Sequence, residues 1–171
     1  MTSPKDLPDS QRPTLAWMLA RPERIVGFGL GSGLIHPAPG TWGTLVGWLL
    51  WWLLLGRLSD AWVALVLLLA FALGCWVSQR CGDDLGVPDY GGINWDEIVA
   101  IWLVLWLLPP GFWMQLLGVV LFRVFDILKP PPVSWLDHHC KSGFGVMIDD
   151  IVAALYALLV AAILIRLGVL P

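Results

Sequence analysis

Five long apolar segments account for most of this chain, and nearly all of the charged side chains lie between them. The segments cover residues 43–55, 61–78, 98–108, 112–125 and 151–167. Only 13% of the residues are charged, whereas a soluble domain carries about a quarter. With 58% hydrophobic residues and a mean hydropathy of +0.76, the sequence predicts an all-α integral membrane protein, a helical bundle of about five short membrane helices.

Polar or helix-breaking stretches divide the chain into these segments. Residues 56–60 separate the first pair, and Pro109-Pro110-Gly111 separates the third from the fourth. Several segments are shorter than the ~20 residues that usually span a bilayer, so we expect tilting or local thinning of the membrane. We predict a single membrane-embedded domain over residues 1–171, with a polar N-terminal segment at 1–24 and a helical core at 25–171.

The N-terminal segment carries prolines and charges of both signs, and it lacks the apolar core of a signal peptide. We predict a short amphipathic helix around residues 14–20, lying on the membrane surface. The net charge of −3 gives no basis for nucleic-acid binding. The sequence leaves the oligomeric state open.

The distribution of lysine and arginine predicts the orientation. If segments 98–108 and 112–125 form a hairpin, residues 1–42, 79–97 and 123–150 share one side. That side holds eight basic residues: Lys5, Arg12, Arg21, Arg24, Arg80, Arg123, Lys129 and Lys141. The other side holds two, Arg57 and Arg166. The excess places the first side in the cytoplasm.

A glycine-rich stretch, residues 27–33, leads into His36-Pro37-Ala38-Pro39-Gly40-Thr41 and the first apolar segment. We expect Thr41 to cap the following helix, which would leave backbone N–H groups free to bind phosphate. A capped membrane helix preceded by a turn explains the same residues. The pattern does not meet the spacing of a dinucleotide-binding loop.

Acidic residues stand at the ends of three apolar segments. Asp96 and Glu97 precede the third, where Asn94 can cap the helix. Asp126 follows the fourth, and Asp149 and Asp150 precede the fifth, after a glycine loop. Carboxylates in the first turn of a helix are favoured by the helix dipole, which is an alternative to any catalytic role. Hard cations such as Mg²⁺ also prefer such oxygen ligands, and ionisable groups at membrane depth usually mark a site.

Arg123, Asp126 and Lys129 recur at intervals of three residues, so they are expected to share one helix face. A salt-bridge ladder is the simplest interpretation. The intervening residues are apolar, however, so the charges are expected to face a protected interior or an interface. Arginine suits bidentate phosphate recognition, and lysine binds phosphate as a point charge.

Four motifs together resemble the phosphatidylglycerophosphatase A family of bacterial inner-membrane lipid phosphatases. The motifs are Pro39-Gly40-Thr41-Trp42-Gly43, Trp95-Asp96-Glu97, Phe122-Arg123-x-x-Asp126-x-x-Lys129-Pro130-x-Pro132 and Gly143-x-Gly145-x-Met147-x-Asp149-Asp150. They occur in the family's order and spacing, from about residue 27 to the last segment. Ser142 and Ala154 stand where the family often has glycine.

The resemblance implies a Mg²⁺-dependent enzyme that converts the lipid phosphatidylglycerophosphate to phosphatidylglycerol. Under this interpretation Asp96, Glu97, Asp149 and Asp150 would bind the metal ion. Asp126, Asp149 and Asp150 would be catalytic, and Thr41, Arg123 and Lys129 would bind the substrate phosphate. Attack by water and an aspartyl-phosphate intermediate are both compatible with these residues.

Two other classes of function are compatible with the composition. A small transporter or channel with intramembrane carboxylates would place its charges near mid-membrane, often at broken helices. A non-catalytic assembly subunit would show neither phosphate release nor ion flux. The clustering of the acids at segment ends favours an enzyme acting at the membrane surface.

Overall fold

A computed structural model describes residues 7–8 and 11–169, and within these ranges the regular structure is entirely helical. The predicted domain 1–171 also includes residues 1–6, 9–10 and 170–171, which lie outside the described residues. The helices are α1 (Leu15–Leu19), α2 (Pro22–Gly27), α3 (Pro39–Leu50), α4 (Asp60–Leu85), α5 (Trp95–Leu107), α6 (Phe112–Leu128), α7 (Val133–His139) and α8 (Gly143–Arg166). A 3₁₀ segment, Gly29–Leu34, precedes α3, and a π-helical turn, Trp51–Leu55, extends it.

Helices α5 and α8 form the centre of the bundle. Helix α3 packs on α5, and α4 and α6 each contact both central helices. Nearly every residue of α5 is buried. The buried face of α8 is built from small residues, because Ala153, Ala154, Ala157 and Ala161 are almost inaccessible. Small side chains of this kind allow helix backbones to approach closely, as in membrane bundles.

The hairpin predicted between the third and fourth apolar segments is confirmed. Helix α5 ends at Leu107, because Pro109 and Pro110 cannot continue it. Gly111 has a φ of 137°, which favours glycine, and α6 begins directly after it. Because the start of α5 and the end of α6 line one cavity, the two helices are antiparallel.

The last helix begins earlier than the sequence suggested. Helix α8 starts at Gly143, so Asp149 and Asp150 lie in its second turn rather than at its start. The sequence predicts a loop for the glycines of this stretch. They belong to the helix instead: a Cβ atom at Gly143 would collide with the backbone of α4 at Cys75 and Gln79. Ser142 caps the helix by accepting a hydrogen bond from the Gly145 N–H.

Close packing also joins α3 to α5. A Cβ atom at Gly43 would overlap the side chain of Asn94, and one at Gly47 would overlap Ile98 and Ile101. The indole N–H of Trp102 donates to the Gly47 carbonyl oxygen at 2.8 Å, so this tryptophan packs inside the bundle. These contacts hold the first turn of α3 beside the first turn of α5.

Two helices, α4 and α8, are long and apolar enough to cross a membrane. Helices α3, α5 and α6 contain 12, 13 and 17 residues, so the predicted bundle of five spans is supported only in part. The predicted N-terminal helix is present as α1, which is capped by Thr14. Leu15 and Leu19, four residues apart on α1, are both exposed.

Candidate metal and phosphate site

A cavity of about 440 Å³ lies at one end of the bundle, where α3, α5 and α8 begin and α6 ends. Its lining contains the acidic residues Asp89, Asp96, Glu97, Asp126, Asp149 and Asp150, the basic residues Arg123 and Lys129, and the uncharged residues Ala38, Pro39, Gly40, Gly91, Ile93 and Ile127. The structure therefore brings together every charged residue that the sequence singled out as a candidate. Thr41 is not among the lining residues.

Three carboxylates form a buried cluster in this cavity. Asp96, Glu97 and Asp150 are each at most 9% exposed, and one oxygen atom of each lies within 4.8 Å of the others. Two buried carboxylate oxygens, Glu97 Oε2 and Asp150 Oδ2, accept no hydrogen bond from the described residues. A buried charged oxygen without a partner is costly, so this arrangement fits a cation that the three carboxylates would share.

Arg123 lies between two of the acids. Its Nη1 atom is 2.7 Å from Asp126 Oδ2 and 3.7 Å from Glu97 Oε1. Asp126 is one turn farther along α6, so the pair is fixed by the geometry of a single helix. The side chains of all three residues are at most 15% exposed. The guanidinium is thus held at the edge of the acidic cluster.

Lys129 reaches a different partner. Its Nζ atom donates to Asp149 Oδ2 at 2.8 Å. The predicted shared helix face of Arg123, Asp126 and Lys129 is wrong in this respect, because α6 ends at Leu128 and Lys129 adopts a left-handed backbone with φ 43°. From this left-handed position the lysine side chain reaches Asp149 on α8.

The expected cap of α3 is also wrong. The helix begins at Pro39, its N-cap is Ala38, and no side chain caps it. Thr41 is the third residue of the helix, and its N–H donates to the Ala38 carbonyl oxygen at 3.0 Å. Proline at the first helical position explains the shift, since its fixed φ is suited to a helix start. Pro39 and Gly40, rather than Thr41, present the start of α3 to the cavity.

Two further residues contribute to the site without having been identified as candidates. Asn94 is fully buried, and its Nδ2 group donates to the Ser32 hydroxyl and to the Pro39 carbonyl oxygen, each at 2.9 Å. It was expected to cap α5, but its side chain instead holds the start of α3. Asp89 lines the cavity from the loop before α5. The turn-forming sequence around it, Pro88-Asp89-Tyr90-Gly91, was its only signal.

The charge balance of the cavity bears on what it can bind. Its lining contains six carboxylates and two basic side chains, an excess of four negative charges if all are ionised (6 − 2 = 4). A phosphate monoester carries up to two negative charges and would be repelled by such a cavity. A divalent cation bound by the acids would halve that excess (−4 + 2 = −2) and place a local positive charge beside the phosphate, so the residues present fit a metal ion together with an anionic ligand.

Comparison with known proteins agrees with this chemistry. A family model described as Phosphatidylglycerophosphatase A matches residues 25–165. The chain belongs to the phosphatidylglycerophosphatase A family. The match includes every lining residue of the cavity. The family resemblance that the four sequence motifs indicated is thereby confirmed.

Individual relatives give the same result. The chain is 46% identical over 143 residues to the phosphatidylglycerophosphatase A of Haemophilus influenzae, covering 83% of this chain and 88% of the relative. It is 38% identical over 136 residues to the phosphatidylglycerophosphatase A of Escherichia coli, covering 79% and 78%. A Bacteroides thetaiotaomicron protein, provisionally named a phosphatidylinositol-3-phosphatase, is 35% identical over 147 residues, covering 81% and 91%. No solved structure matches the chain.

Proposed function

We propose that this protein is a Mg²⁺-dependent lipid phosphatase that removes the terminal phosphate of phosphatidylglycerophosphate and yields phosphatidylglycerol. The observation that carries the proposal is the buried cluster of Asp96, Glu97 and Asp150 beside Arg123, in a chain of the phosphatidylglycerophosphatase A family. The names of two relatives supply the substrate. The cavity supplies a chemical reason why such a substrate would bind there.

Asp96, Glu97 and Asp150 would hold the metal ion, and Asp149 would support it from the neighbouring position on α8. The two carboxylate oxygens without a hydrogen-bond partner support this assignment. Oxygen-only ligands favour Mg²⁺ over a softer metal. When bound, the ion would neutralise charge on the phosphoryl group during its transfer.

The two basic side chains would bind the phosphate oxygens. Arg123 and Lys129 already lie in the cavity, and each is held by a carboxylate partner at 2.7–2.8 Å. Lys129 makes a hydrogen bond, whereas Arg123 Nη1 makes only an ion pair with its partner. Charged hydrogen bonds from such side chains are the strongest available to a phosphate. The first turn of α3, at Pro39 and Gly40, would add the positive end of a helix dipole. Thr41 would contribute only through its position in that turn.

Asp126 would orient the attacking water and accept its proton. In this step the water oxygen bonds to phosphorus, and the bond from phosphorus to the lipid oxygen breaks. The lipid oxygen takes a proton from solvent water and leaves as the hydroxyl group of phosphatidylglycerol, and Asp126 returns the proton that it accepted to solvent. Arg123, which contacts Asp126, would stabilise the negative charge on the phosphoryl oxygens as it develops.

The location that we propose is the bacterial inner membrane, with five membrane segments and the cavity facing the cytoplasm. Exposed large apolar side chains on the outer faces of the bundle helices support it, including Leu49, Leu68, Val120 and Leu159. Soluble monomers rarely expose large apolar patches. The eight basic residues predicted on the side of the cavity, against two on the other, support the orientation.

A transporter or channel is a weaker explanation of the same acids. The charged residues gather at one end of the bundle, where four helices begin or end, and not halfway along it. An enzyme that acts on a lipid headgroup needs its charges at that depth. The acyl chains can then stay in the bilayer during the reaction.

Phosphate release from phosphatidylglycerophosphate by the purified protein in detergent micelles, with and without Mg²⁺, tests the proposal. We expect release that depends on Mg²⁺ and that falls at least about a thousandfold in Asp150→Asn, because that variant removes a charged ligand from the cluster. The matched control is Asp60→Asn, at the first residue of α4 and outside the cavity lining. An asparagine oxygen there can still accept the hydrogen bond from the Trp106 indole N–H.

Asp60→Asn should keep the activity of the unchanged protein. Equal activity in Asp150→Asn and Asp60→Asn would contradict the assignment of the cavity. Absence of phosphate release from the unchanged protein, in the presence of Mg²⁺, would contradict the proposed function itself.

A further inference from the structure

A second concave surface lies between α3 and α6, apart from the charged cavity. We call it the α3–α6 groove; it has a volume of about 580 Å³. Its lining residues are Leu45, Trp48, Leu49, Trp52, Gly111, Phe112 and Gln115. Ligand sites in proteins usually measure about 300–1,000 Å³ and have mainly apolar walls with few polar groups. Gln115 is the only polar side chain apart from the indole N–H groups among these lining residues.

The groove has a fixed shape because its two walls are bonded to each other. The indole N–H of Trp48 on α3 donates to Gln115 Oε1 on α6 at 2.8 Å. The rings of Trp48 and Phe112 stack with their centroids 5.7 Å apart. The polar atoms of the tryptophan and the glutamine oxygen thus satisfy one another. The remaining surface of the groove is left to apolar contacts.

The same two helices connect the groove to the charged cavity. Gly40 on α3 and Arg123 on α6 line the cavity, whereas Leu45 and Gln115 line the groove. At 1.5 Å per residue, Leu45 lies about 8 Å along α3 from Gly40, and Gln115 about 12 Å along α6 from Arg123. The helices are antiparallel at this point, so both displacements run in the same direction. The groove therefore begins one to two helical turns beyond the cavity.

We infer that the α3–α6 groove holds one acyl chain of the phospholipid monoester whose phosphate is bound in the charged cavity. The inference rests on the proposed function and extends it to substrate recognition. An amphiphile with its phosphate beside Arg123 must place its chains farther along the bundle, and the groove offers an apolar surface in that direction, between the same two helices. Contact with a chain would hold the lipid in register, and the logarithm of kcat/KM would rise with the chain length buried.

A substitution that fills the groove tests this assignment. Leu49→Trp adds bulk to an exposed wall residue without touching the bundle interior. The matched control is Leu68→Trp, since Leu68 is a similarly exposed leucine on α4, outside the groove. For each protein, kcat/KM is measured in mixed micelles with two phosphatidylglycerophosphates, one with two 16-carbon chains and one with two 6-carbon chains.

We expect the ratio of long-chain to short-chain kcat/KM to fall about tenfold in Leu49→Trp, as for a pocket that loses room for one methylene group. Leu68→Trp should leave the ratio unchanged. An unchanged ratio in Leu49→Trp, or an equal fall in Leu68→Trp, would overturn the inference and assign the groove to bulk lipid or a partner helix. In either case the unchanged protein would still release phosphate. If it released none from either lipid, the proposed function would fail and the groove assignment with it.

Discussion

Replacing Gly40 by alanine should reduce catalysis while leaving the fold intact. Gly40 is the second residue of α3 and lines the charged cavity. A Cβ atom at this position would overlap Glu97 Oε1 and would lie 3.1 Å and 3.2 Å from the two terminal nitrogens of Arg123. Ordinary van der Waals contact requires about 3.5 Å, so the carboxylate must move by more than about 1 Å.

The magnitude follows from that displacement. Misplacing a catalytic or ligand group by about 1 Å can cost about a hundredfold in rate, so we expect kcat/KM to fall by about that factor. The atoms in the way are the ends of two flexible side chains, and alanine gains up to about 1 kcal/mol of helix propensity over glycine. The free energy of unfolding should therefore stay within about 1 kcal/mol of its original value.

Gly47→Ala, on the same helix, is the matched control. A Cβ atom there would lie 2.6 Å from Ile101 Cγ2 and 3.0 Å from the backbone Cα atom of Ile98. Overpacking against a backbone costs about 1–3 kcal/mol, so this variant should melt at a lower temperature but keep its kcat/KM while folded. Phosphate release in micelles and melting followed by tryptophan fluorescence measure both quantities. Full activity in Gly40→Ala, or an equal loss of activity in folded Gly47→Ala, would refute the reasoning.

Three further predictions concern polar contacts of the site. Lys129→Met removes the lysine that pairs with the buried Asp149 carboxylate and should lower the free energy of unfolding by about 3 kcal/mol. In the control Lys141→Met, whose half-exposed lysine lies 4.0 Å from Asp89, that free energy should change by less than about 1 kcal/mol. Equal melting temperatures for the two variants would contradict this. Asn94→Ala removes two buried hydrogen bonds and should cost about 1–3 kcal/mol in a melting experiment; unchanged melting would show that it does not hold α3. Glu97→Gln relieves repulsion among the buried acids, so without metal it should melt at a higher temperature than the unchanged protein. Added Mg²⁺ should no longer raise the melting temperature of this variant. An undiminished response to Mg²⁺ would exclude Glu97 as a ligand.

The features of the fold that could be predicted from the sequence are those set by strong local signals. Pro109, Pro110 and Gly111 break the chain between α5 and α6 wherever the helices pack. The hairpin then requires that the acids at the start of α5 and the charges at the end of α6 lie at one end of the bundle. The convergence of Asp96 and Asp126 on one cavity follows from that topology.

The start of α8 could not be predicted, because glycine in such a chain is typical both of loops and of close contacts between helices. The sequence predicts a loop at Gly143, yet this residue is the first of α8. Because glycine has no side chain, the α8 backbone can contact the backbone of α4 at this point. The direction of Lys129 depends on the left-handed backbone at the end of α6, which no residue spacing specifies. The sequence predicts Asn94 as the cap of α5, but its hydrogen bonds to Ser32 and Pro39 depend on tertiary contacts alone.

The central claim is that one cavity binds a divalent cation and the substrate phosphate together. Mn²⁺, as a paramagnetic substitute for Mg²⁺, tests it directly when the protein is also given a phosphonate analogue of the lipid that cannot be hydrolysed. Electron-nuclear double resonance should show one bound Mn²⁺ coupled to the phosphorus nucleus, and both signals should disappear in Asp150→Asn. Bound Mn²⁺ without phosphorus coupling, or the same coupling in Asp150→Asn, would contradict the account.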